Sequence, residues 1–412
     1  MISIIKRLVS LMLALSLTSC AAIPEISSSK TDSSQQTALS SSEQSESSSD
    51  SSTTTTVQTT AADTTTTTDE ITTTSAETTI TEIETTTTSV TAAPADSDTG
   101  DMTVKTTKAP KDDSYTYYGG VIVAHSGTKD ARAMEQYYYS QDTAMMLAGN
   151  VNKFKKKAGE DTNVYLMVIP STQELYNPTE LQQNTQDQTD CTLEIYSNLS
   201  GAVGVLVNVI LKKHKDEYLY SRTDFHWQPL AAYYAAKKFS EEAGTDFPLL
   251  DTYKMKTREG FLGGFYTVSG ISEFESCPDD FTYFCPANMN KLKVTCYDRS
   301  FSNGYETNLI HEDFSVDNSY MMFGSDDSII EVDTDVKNDR VLVIFKDSYG
   351  NALTPFLTQS FSKIYVCDDR FFDLNSIDFI KKVKATDVLF AFGIATSGSP
   401  DKISLIESLM NR

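Results

Sequence analysis

The sequence predicts an α/β domain over residues 114–412, built on a mostly parallel sheet with helices on its faces. Apolar runs at residues 163–169, 341–345 and 387–392 are typical of buried strands, and segments with helical spacing of apolar residues alternate with them. All Trp, Tyr and Phe residues (1, 21 and 20) lie from Tyr115 onward, which limits the folded part to this region. Roughly 300 residues suffice for one large domain.

The local patterns predict each element of this domain in turn. Strands are expected at residues 121–124, 163–169, 203–207, 217–220, 341–345, 364–367 and 387–392. Helices are expected at residues 130–157, 208–215, 228–239, 352–362, 374–382 and 402–410. Pro229 opens the third of these helices, where its missing N–H is tolerated. Residues 173–191 are polar, and we expect an exposed, irregular segment there.

Residues 251–335 differ in character from the rest of the domain. They alternate apolar and polar positions, carry many aromatic residues and show turn residues at short intervals. This pattern predicts β structure. Because the segment interrupts an alternation of strands and helices, we expect a β-rich insertion.

Residues 1–20 are typical of a bacterial lipoprotein signal peptide. Lys6 and Arg7 precede a short apolar run that ends in Leu-Thr-Ser-Cys, with Cys20 last. This end resembles a lipobox, in which the cysteine is lipidated, and the alternative is an ordinary secretion signal. We therefore expect an extracytoplasmic protein that is anchored at the cell membrane through a lipid on Cys20.

Residues 21–113 are rich in Ser and Thr, with scattered acidic residues and no aromatic residue. Such a segment cannot bury enough apolar surface to offset the entropy lost on ordering. The sequence predicts a disordered stalk, and as a flexible chain its ~93 residues reach roughly 50–60 Å. A stalk behind a lipid anchor would hold the folded domain clear of the membrane, at the cell surface.

Charge and cysteine content argue against several classes of function. The formal charge is −23, and we expect no nucleic-acid partner because phosphate contacts need Lys and Arg. Five cysteines remain besides Cys20, an odd number that gives no complete disulfide framework. Cys277 and Cys285 either bridge a loop or are free thiols. With no Cys-x-x-Cys pair and four scattered histidines, we expect no zinc site and no cofactor.

One of these histidines has a carboxylate close by in sequence. Asp224 precedes His226 by two residues, and the single tryptophan, Trp227, follows. Residues i and i+2 of an extended segment share a face, so Asp224 is expected beside His226. A carboxylate there fixes the imidazole tautomer and stabilises the imidazolium. We predict that His226 is a general base, the alternatives being a structural or binding role, with His311 as a rival base.

A candidate nucleophile follows the strand expected at residues 341–345. Residues 346–351 read Lys-Asp-Ser-Tyr-Gly-Asn, and a helical run follows. A serine at a strand-to-helix turn exposes its hydroxyl where backbone N–H groups can hold an oxyanion. Serine needs an adjacent base at neutral pH, so Ser348 is paired with His226. We expect the Ser348 N–H to be the first oxyanion donor and Asp347 to be a turn or cap residue.

Together the two stretches resemble the DHHW family of bacterial proteins, which is similar to the SGNH-type domains of alginate acetylation proteins. The family motif Asp-His-His-Trp matches residues 224–227, with Phe225 replacing the first histidine, and the later Asp-Ser element matches residues 347–348. Lys346 replaces the glycine usual in broader SGNH enzymes. The resemblance covers residues 115–412, and it implies an SGNH-like fold with a Ser348–His226–Asp224 triad.

The resemblance implies acyl transfer at an ester. We expect a cell-surface serine esterase or O-acetyltransferase that acts on acylated polysaccharide of the envelope or exterior. Further oxyanion or substrate contacts are expected from Asn351, Arg370 and Trp227. The competing interpretation is a non-catalytic surface lipoprotein of the same fold that binds a glycan or a protein, which Phe225 and Lys346 favour. A third is a scaffold for wall assembly.

Overall fold

The structure is a computed structural model that describes Lys105, residues 113–324 and residues 328–412. The strands are β1 (Tyr115–Tyr118), β2 (Val121–Ala124), β3 (Arg132–Glu135), β4 (Asn163–Ile169), β5 (Val203–Gly204), β6 (Lys254–Phe261), β7 (Asp279–Cys285), β8 (Lys293–Tyr297), β9 (Tyr305–Thr307), β10 (Ile329–Asp333), β11 (Val341–Lys346), β12 (Lys363–Asp368) and β13 (Asp387–Gly393). The predicted signal peptide with Cys20, and the predicted stalk apart from Lys105 and Asp113, lie outside the described residues.

Short and medium helices separate these strands. The α-helices are α1 (Gln141–Ala158), α2 (Thr172–Tyr176), α3 (Thr179–Gln182), α4 (Gln188–Ser197), α5 (Asn208–Lys213), α6 (Pro229–Ala243), α7 (Gly264–Ser269), α8 (Ser272–Ser276), α9 (Thr354–Leu357), α10 (Ser376–Lys382), α11 (Ile394–Ser397) and α12 (Pro400–Leu409). The 3-10 helices are Leu250–Thr252, Met289–Lys291, Val316–Phe323 and Ser348–Leu353.

Eight strands form the central sheet in the order β5-β4-β13-β11-β12-β10-β8-β9. The first five strands pair in parallel, and the last three extend the sheet by antiparallel pairing. Parallel neighbours require crossover connections, whose helices cover the faces of the sheet. The predicted α/β fold, a mostly parallel sheet flanked by helices, is confirmed.

The strand β11 lies in the middle of this sheet and is buried on both faces. Leu342 and Ile344 pack into the core that contains α6, whereas Val343 and Phe345 pack into the core that contains α1. Burial on both faces explains why the strand is a continuous apolar run rather than an alternating one. Each such side chain stabilises the fold by about 1.5–3 kcal/mol, so the strand that leads to Ser348 is firmly held.

Two small antiparallel sheets accompany the central one. Strands β1, β2 and β3 form a meander, in which the β1–β2 turn uses Gly119 and Gly120 at φ values of 55° and 91°. These positive values favour glycine. Strands β6 and β7 pair with each other, with an irregularity between Glu259 and Phe261.

The predicted β-rich insertion at residues 251–335 is divided in the structure. Strands β6 and β7 form a separate sheet, but β8, β9 and β10 belong to the central sheet. The same region also contains α7, α8 and the 3-10 helix Val316–Phe323. The expected β structure is therefore present, and three of its strands extend the central sheet. Period-2 alternation marks a strand but does not say which sheet it joins.

The prediction of a helix at residues 130–157 is correct for the second part of the range and wrong for the first. Its first part is β3, which pairs with β2. The helix α1 begins only after Ser140, whose Oγ accepts a hydrogen bond from the Thr143 N–H at 3.4 Å. A short strand beside a helix carries apolar residues that also fit helical spacing, so tertiary pairing decides between the two.

Three other expectations differ from the structure. Residues 173–191 hold parts of three helices rather than an irregular segment, and residues 217–220 form no named strand, although Tyr220 makes a β-bridge with Trp227. The helix expected at residues 352–362 is the end of a 3-10 helix followed by α9.

Within the described ranges, no helix combines the length and apolarity needed to cross a bilayer. Cys277 and Cys285 are both free thiols, so they do not bridge.

Candidate active site

Asp224 and His226 lie in a short loop that the bridge between Tyr220 and Trp227 closes. This loop is irregular and not the extended strand that we expected. Asp224 Oδ1 accepts a hydrogen bond from the His226 backbone N–H at 2.8 Å and lies 2.8 Å from Nδ1 of the ring. A carboxylate that bonds the backbone two residues on forms an Asx turn. This turn, rather than strand alternation, brings the carboxylate to the imidazole.

Two glycines lie close to the Asp224–Phe225 segment, and one of them bonds the other oxygen of Asp224. The Gly264 N–H donates a hydrogen bond to Oδ2 at 2.5 Å. A β-carbon on Gly263 would lie 2.2 Å from Asp224 Cβ, and one on Gly264 would lie 2.3 Å from Phe225 Cε1. Because only glycine has no β-carbon, it alone permits this close approach.

Ser348 is the first residue of the 3-10 helix that follows β11. Its Oγ lies 2.8 Å from His226 Nε2, across 122 positions of sequence. The structure thus brings together Ser348, His226 and Asp224, the three residues predicted as a triad. The rival base His311 lies elsewhere, 3.5 Å from Thr307 Oγ1.

Asp347 anchors the turn that presents Ser348. Its Oδ1 accepts a hydrogen bond from the Tyr349 N–H at 3.0 Å, which caps the 3-10 helix. Its Oδ2 accepts bonds from the Gly393 N–H at 2.8 Å and from Thr396 Oγ1 at 2.9 Å. As predicted, Asp347 is a cap residue, and it also ties the serine turn to the end of β13.

Aromatic rings fix the plane of His226. Tyr320 stacks on the imidazole with centroids 3.9 Å apart and planes 9° apart. Phe225 lies at a centroid distance of 4.2 Å and an angle of 41°. Such ring contacts stabilise by about 0.5–1.5 kcal/mol each beyond area burial, so they hold the imidazole in the orientation that reaches Ser348.

Tyr349 joins these rings into one hydrogen-bonded frame. Its carbonyl oxygen accepts bonds from Trp227 Nε1 and from the Tyr320 hydroxyl, both at 3.0 Å. Its hydroxyl donates to the Phe225 carbonyl at 2.6 Å. The loop that carries His226 is therefore bonded directly to the turn that carries Ser348.

The electrostatics of the site keep Asp224 ionised. Burial by itself raises the pKa of Asp224, but the charge of His226 and hydrogen bonds from His226 and Gly264 outweigh burial and lower the pKa. Burial and the charge of Asp224 raise the pKa of Tyr320 well above its usual value. Tyr320 is therefore a neutral donor, and the carboxylate beside His226 can stabilise an imidazolium.

The three predicted oxyanion or substrate contacts differ in their surroundings. Trp227 is 0% exposed, so its predicted substrate contact is wrong: the ring packs in the core, and Nε1 is bonded to Tyr349. Asn351 is 3% exposed within the serine turn. Arg370 bonds Asp368 through Nε and Nη2 at 2.7 and 2.6 Å. Contacts of Asn351 and Arg370 with a substrate stay predictions.

Lys346 is buried beneath the serine turn. It is 3% exposed, and its Nζ donates to Asp368 Oδ2 at 3.1 Å. The side chain packs against Gly350, where a β-carbon would lie 2.5 Å from Lys346 Cβ. A buried ammonium needs such a carboxylate partner, so Lys346 belongs to the support of the turn.

Several residues of the site carry no local sequence signal. Tyr320 lies in a region expected to be β-rich, and Gly263 and Gly264 in the same region resemble ordinary turn residues. Their roles arise from tertiary contact with the Asp224 loop. No group of three or more His, Cys, Asp and Glu side chains among the described residues has an arrangement that could hold a metal ion.

This fold and this site define an α/β protein with a serine after a central parallel strand and an Asp-x-His pair earlier in the chain. The family model described as DHHW protein matches residues 55–367, and the chain belongs to the DHHW family. The match begins at residue 55, inside the predicted stalk, and not at residue 115 as expected.

A solved structure of a member of the same family agrees with this assignment, and two more distant structures also match. A DHHW family protein from Eubacterium siraeum is 34% identical, with a TM-score of 0.67 over 71% of this chain and 97% of that one. Bacillus cereus PatB1 with a sulfonyl adduct is 16% identical, with a TM-score of 0.56 over 68% and 96%. The O-acetyltransferase domain of Pseudomonas putida AlgJ is 13% identical, with a TM-score of 0.41 over 70% and 99%.

The likeness to PatB1 concerns the fold alone, because the identity is low. The likeness to AlgJ is too distant to carry an argument. No curated protein matches the sequence significantly.

Proposed function

We propose that the protein is a cell-surface serine esterase or O-acetyltransferase that works through an acyl-serine at Ser348. The observation that carries the proposal is a continuous line of contacts. Asp224 Oδ1 lies 2.8 Å from His226 Nδ1, and His226 Nε2 lies 2.8 Å from Ser348 Oγ. A nucleophile, a base and a group that orients the base are the parts that acyl transfer to serine needs.

The acylation step follows from this order of groups. Ser348 Oγ attacks the carbonyl carbon of an ester, and its proton passes to His226 Nε2. Asp224 stabilises the imidazolium that forms. When the bond to the leaving oxygen breaks, His226 returns the proton to that oxygen. The alcohol part leaves, and the acyl group stays on Ser348.

The oxyanion of this step needs donors near Ser348. The first N–H groups of a helix have no partner within the helix, and the Ser348 N–H makes no backbone hydrogen bond in the described part of the chain. It is the donor best placed for the developing negative charge. Asn351, in the same turn, is the second candidate, and Arg370 the third.

Deacylation uses the same residues in reverse. Water or an alcohol attacks the acyl carbon and gives its proton to His226, and Ser348 Oγ then leaves with that proton. Water makes the protein an esterase, and a sugar hydroxyl makes it a transferase. The proposed substrate is O-acylated polysaccharide of the envelope or exterior.

The proposed location supports this substrate class. A lipid on Cys20 and a Ser/Thr-rich stalk would hold the domain outside the membrane, where surface polysaccharide is within reach. Cys20→Ala tests the anchor: the variant is expected in the soluble fraction or as unprocessed precursor, and without incorporation of a labelled fatty acid. Labelling equal to that of the parent would rule the anchor out.

The experiment for the activity is hydrolysis of 4-nitrophenyl acetate by the purified protein and by Ser348→Ala. We expect the parent to release 4-nitrophenol and the variant to fall to the background rate. Equal rates would end the esterase proposal and leave the competing candidate, a non-catalytic binder of glycan or protein. The replacement of glycine by Lys346 is the observation that favours that candidate.

A further inference from the structure

Glu135 lies on the sheet face that is turned toward His226. The register pairs Glu135 with Val121 across β3 and β2, so their side chains share a face with Ala133, two residues earlier. Val121 and Ala133 belong to an apolar cluster against which Phe225 packs. Phe225 contacts the His226 ring at a centroid distance of 4.2 Å. One layer of aromatic side chain therefore separates this face from the imidazole.

The carboxylate of Glu135 has no bonding partner. The side chain is half-buried, yet it makes no hydrogen bond or ion pair with any residue in the described ranges. Burial raises the pKa of Glu135, and the positive charges of Lys402 and His226 act against that rise. Neither cation pairs with Glu135 among the described residues. A desolvated, unpaired carboxylate beside a reactive centre is typical of a binding group.

A second polar group without a partner lies at the same edge. Gln173, in α2 just beyond β4, is 3% exposed. Its Oε1 accepts the Tyr137 N–H at 3.1 Å, which directs Nε2 away from Tyr137. Nε2 is buried without a partner among the described residues. Tyr137 follows Glu135 by two residues, a span of at most about 7 Å.

Glu135 and Gln173 are placed to contact a group that approaches Ser348 from the side. One strand, β13, separates β4 from β11, and two strand spacings amount to about 10 Å. Glu135 is two residues from Tyr137, which bonds Gln173 just beyond β4, so Glu135 lies to one side of the serine. A neighbouring hydroxyl of a polyhydroxyl molecule would occupy such a place while another hydroxyl reacts.

We propose that Glu135 forms an acceptor subsite, in which its carboxylate accepts a hydrogen bond from a hydroxyl next to the one that attacks the acyl-serine. The proposal rests on the function proposed above. The attacking O–H bond breaks and its proton goes to His226 Nε2, while a new C–O bond forms at the acyl carbon. The bond to Ser348 Oγ then breaks, and Oγ takes the proton. Glu135 holds the neighbouring hydroxyl and takes no part in the proton transfer.

The chemical class of acceptor follows from this arrangement. An ionised carboxylate only accepts hydrogen bonds, so it favours binding of an acceptor that has a second hydroxyl beside the reacting one. Vicinal diols, which sugars contain, are therefore preferred over simple alcohols of equal length. Glycerol and 1-propanol form a matched pair for this comparison.

The experiment uses the full-length protein acylated with 4-nitrophenyl acetate in the presence of glycerol or 1-propanol. The measured quantity is the ratio of glyceryl acetate to propyl acetate formed. Both products come from the same acyl-enzyme, so the ratio does not depend on how fast that intermediate forms. The control is Glu194→Gln, a half-buried glutamate on α4 that bonds Gln141 at 2.7 Å.

We expect the ratio to fall about tenfold or more in Glu135→Gln, as for a lost hydrogen bond to a charged group, and to stay at the parent value in Glu194→Gln. A parental ratio in Glu135→Gln would overturn the subsite. If Glu135→Gln forms no acyl-enzyme, Glu135→Asp is used instead. This variant keeps the charge but shortens the side chain, and the same ratio of glyceryl acetate to propyl acetate is measured for it. A parent that releases 4-nitrophenol no faster than Ser348→Ala would instead overturn the proposed function, and the subsite with it.

Discussion

The imidazole of His226 and the ring of Tyr320 lie in parallel planes, 9° apart, with centroids separated by 3.9 Å. Tyr320 is 6% exposed, and its hydroxyl bonds the backbone of the serine turn at the Tyr349 carbonyl. One side chain therefore supports the base and connects it to the turn that carries the nucleophile.

Removal of the Tyr320 ring is expected to lower the activity by more than the loss of folding stability can account for. Tyr320→Leu loses the stacked contact, so kcat for 4-nitrophenyl acetate should fall about tenfold, in line with the energy of an aromatic pair. Tyr320→Phe is the matched control: it keeps the ring and most of the activity, and loses about 1 kcal/mol of stability with the hydroxyl. Equal kcat values in the two variants would contradict a role for the stack.

Asp224 is expected to matter for the chemical step. Asp224→Asn keeps the shape of the side chain but removes the charge that stabilises the imidazolium, so kcat should fall by about 10³–10⁴-fold. Asp313→Asn, at an exposed acidic residue, serves as control and should keep the parental rate. A loss of less than about tenfold in Asp224→Asn would mean that the carboxylate does not orient the base.

The lowered pKa of Asp224 also predicts how stability depends on pH. Burial opposes ionisation, but the charge of His226 and the hydrogen bonds outweigh burial. A carboxyl whose folded pKa is lowered stabilises the fold above its unfolded value of about 3.9, and the contribution is lost as pH falls through the folded pKa. Urea unfolding at pH 7 and pH 3 should therefore show a narrower gap between the parent and Asp224→Asn at the acid pH. A gap that does not change with pH would show that the charge of Asp224 does not stabilise the fold.

The glycines behind Asp224 give a steric prediction. Gly263→Ala places a β-carbon 2.2 Å from Asp224 Cβ, so the carboxylate must move and kcat should fall at least about tenfold, because small displacements of a catalytic group are costly. Gly149→Ala is the matched control, because its β-carbon meets no atom within 4 Å. In the helix α1 this change should stabilise the protein by about 0.5–1 kcal/mol and leave kcat unchanged. Parental kcat in Gly263→Ala would show that the site tolerates a displaced Asp224.

The parts of the fold that the sequence predicted are those with strong local signals. The strands β4, β11, β12 and β13 are continuous apolar runs, and α6 begins at a proline. Residues 132–135, whose pattern fits two structures, were assigned wrongly, and residues 251–335 were expected as β structure without the sheet that the strands join. The strand β3 resembled the start of a helix, and β8 to β10 gave no sign that they extend the central sheet. In both cases pairing with distant strands decides the outcome, and local patterns do not contain it.

The site divides in the same way. Asp224, His226 and Ser348 stood out because their residue types and local spacing suit acyl transfer, although the structure joins Asp224 to His226 through an Asx turn rather than along a strand. Tyr320 and Glu135 come from distant segments with no motif of their own. Trp227 was predicted as a substrate contact, whereas it is 0% exposed in the fold, because burial depends on distant segments that pack over it.

The central claim is that an acyl group resides on Ser348 during turnover. Acid quenching of the protein during its reaction with 4-nitrophenyl acetate, followed by mass spectrometry of the peptide that contains Ser348, tests it most directly. We predict an acetyl group on Ser348 in the parent, and none on this peptide in Ser348→Ala or His226→Ala. Turnover with acetyl on another residue, or with acetyl on Ser348 at the parental level in His226→Ala, would contradict the account.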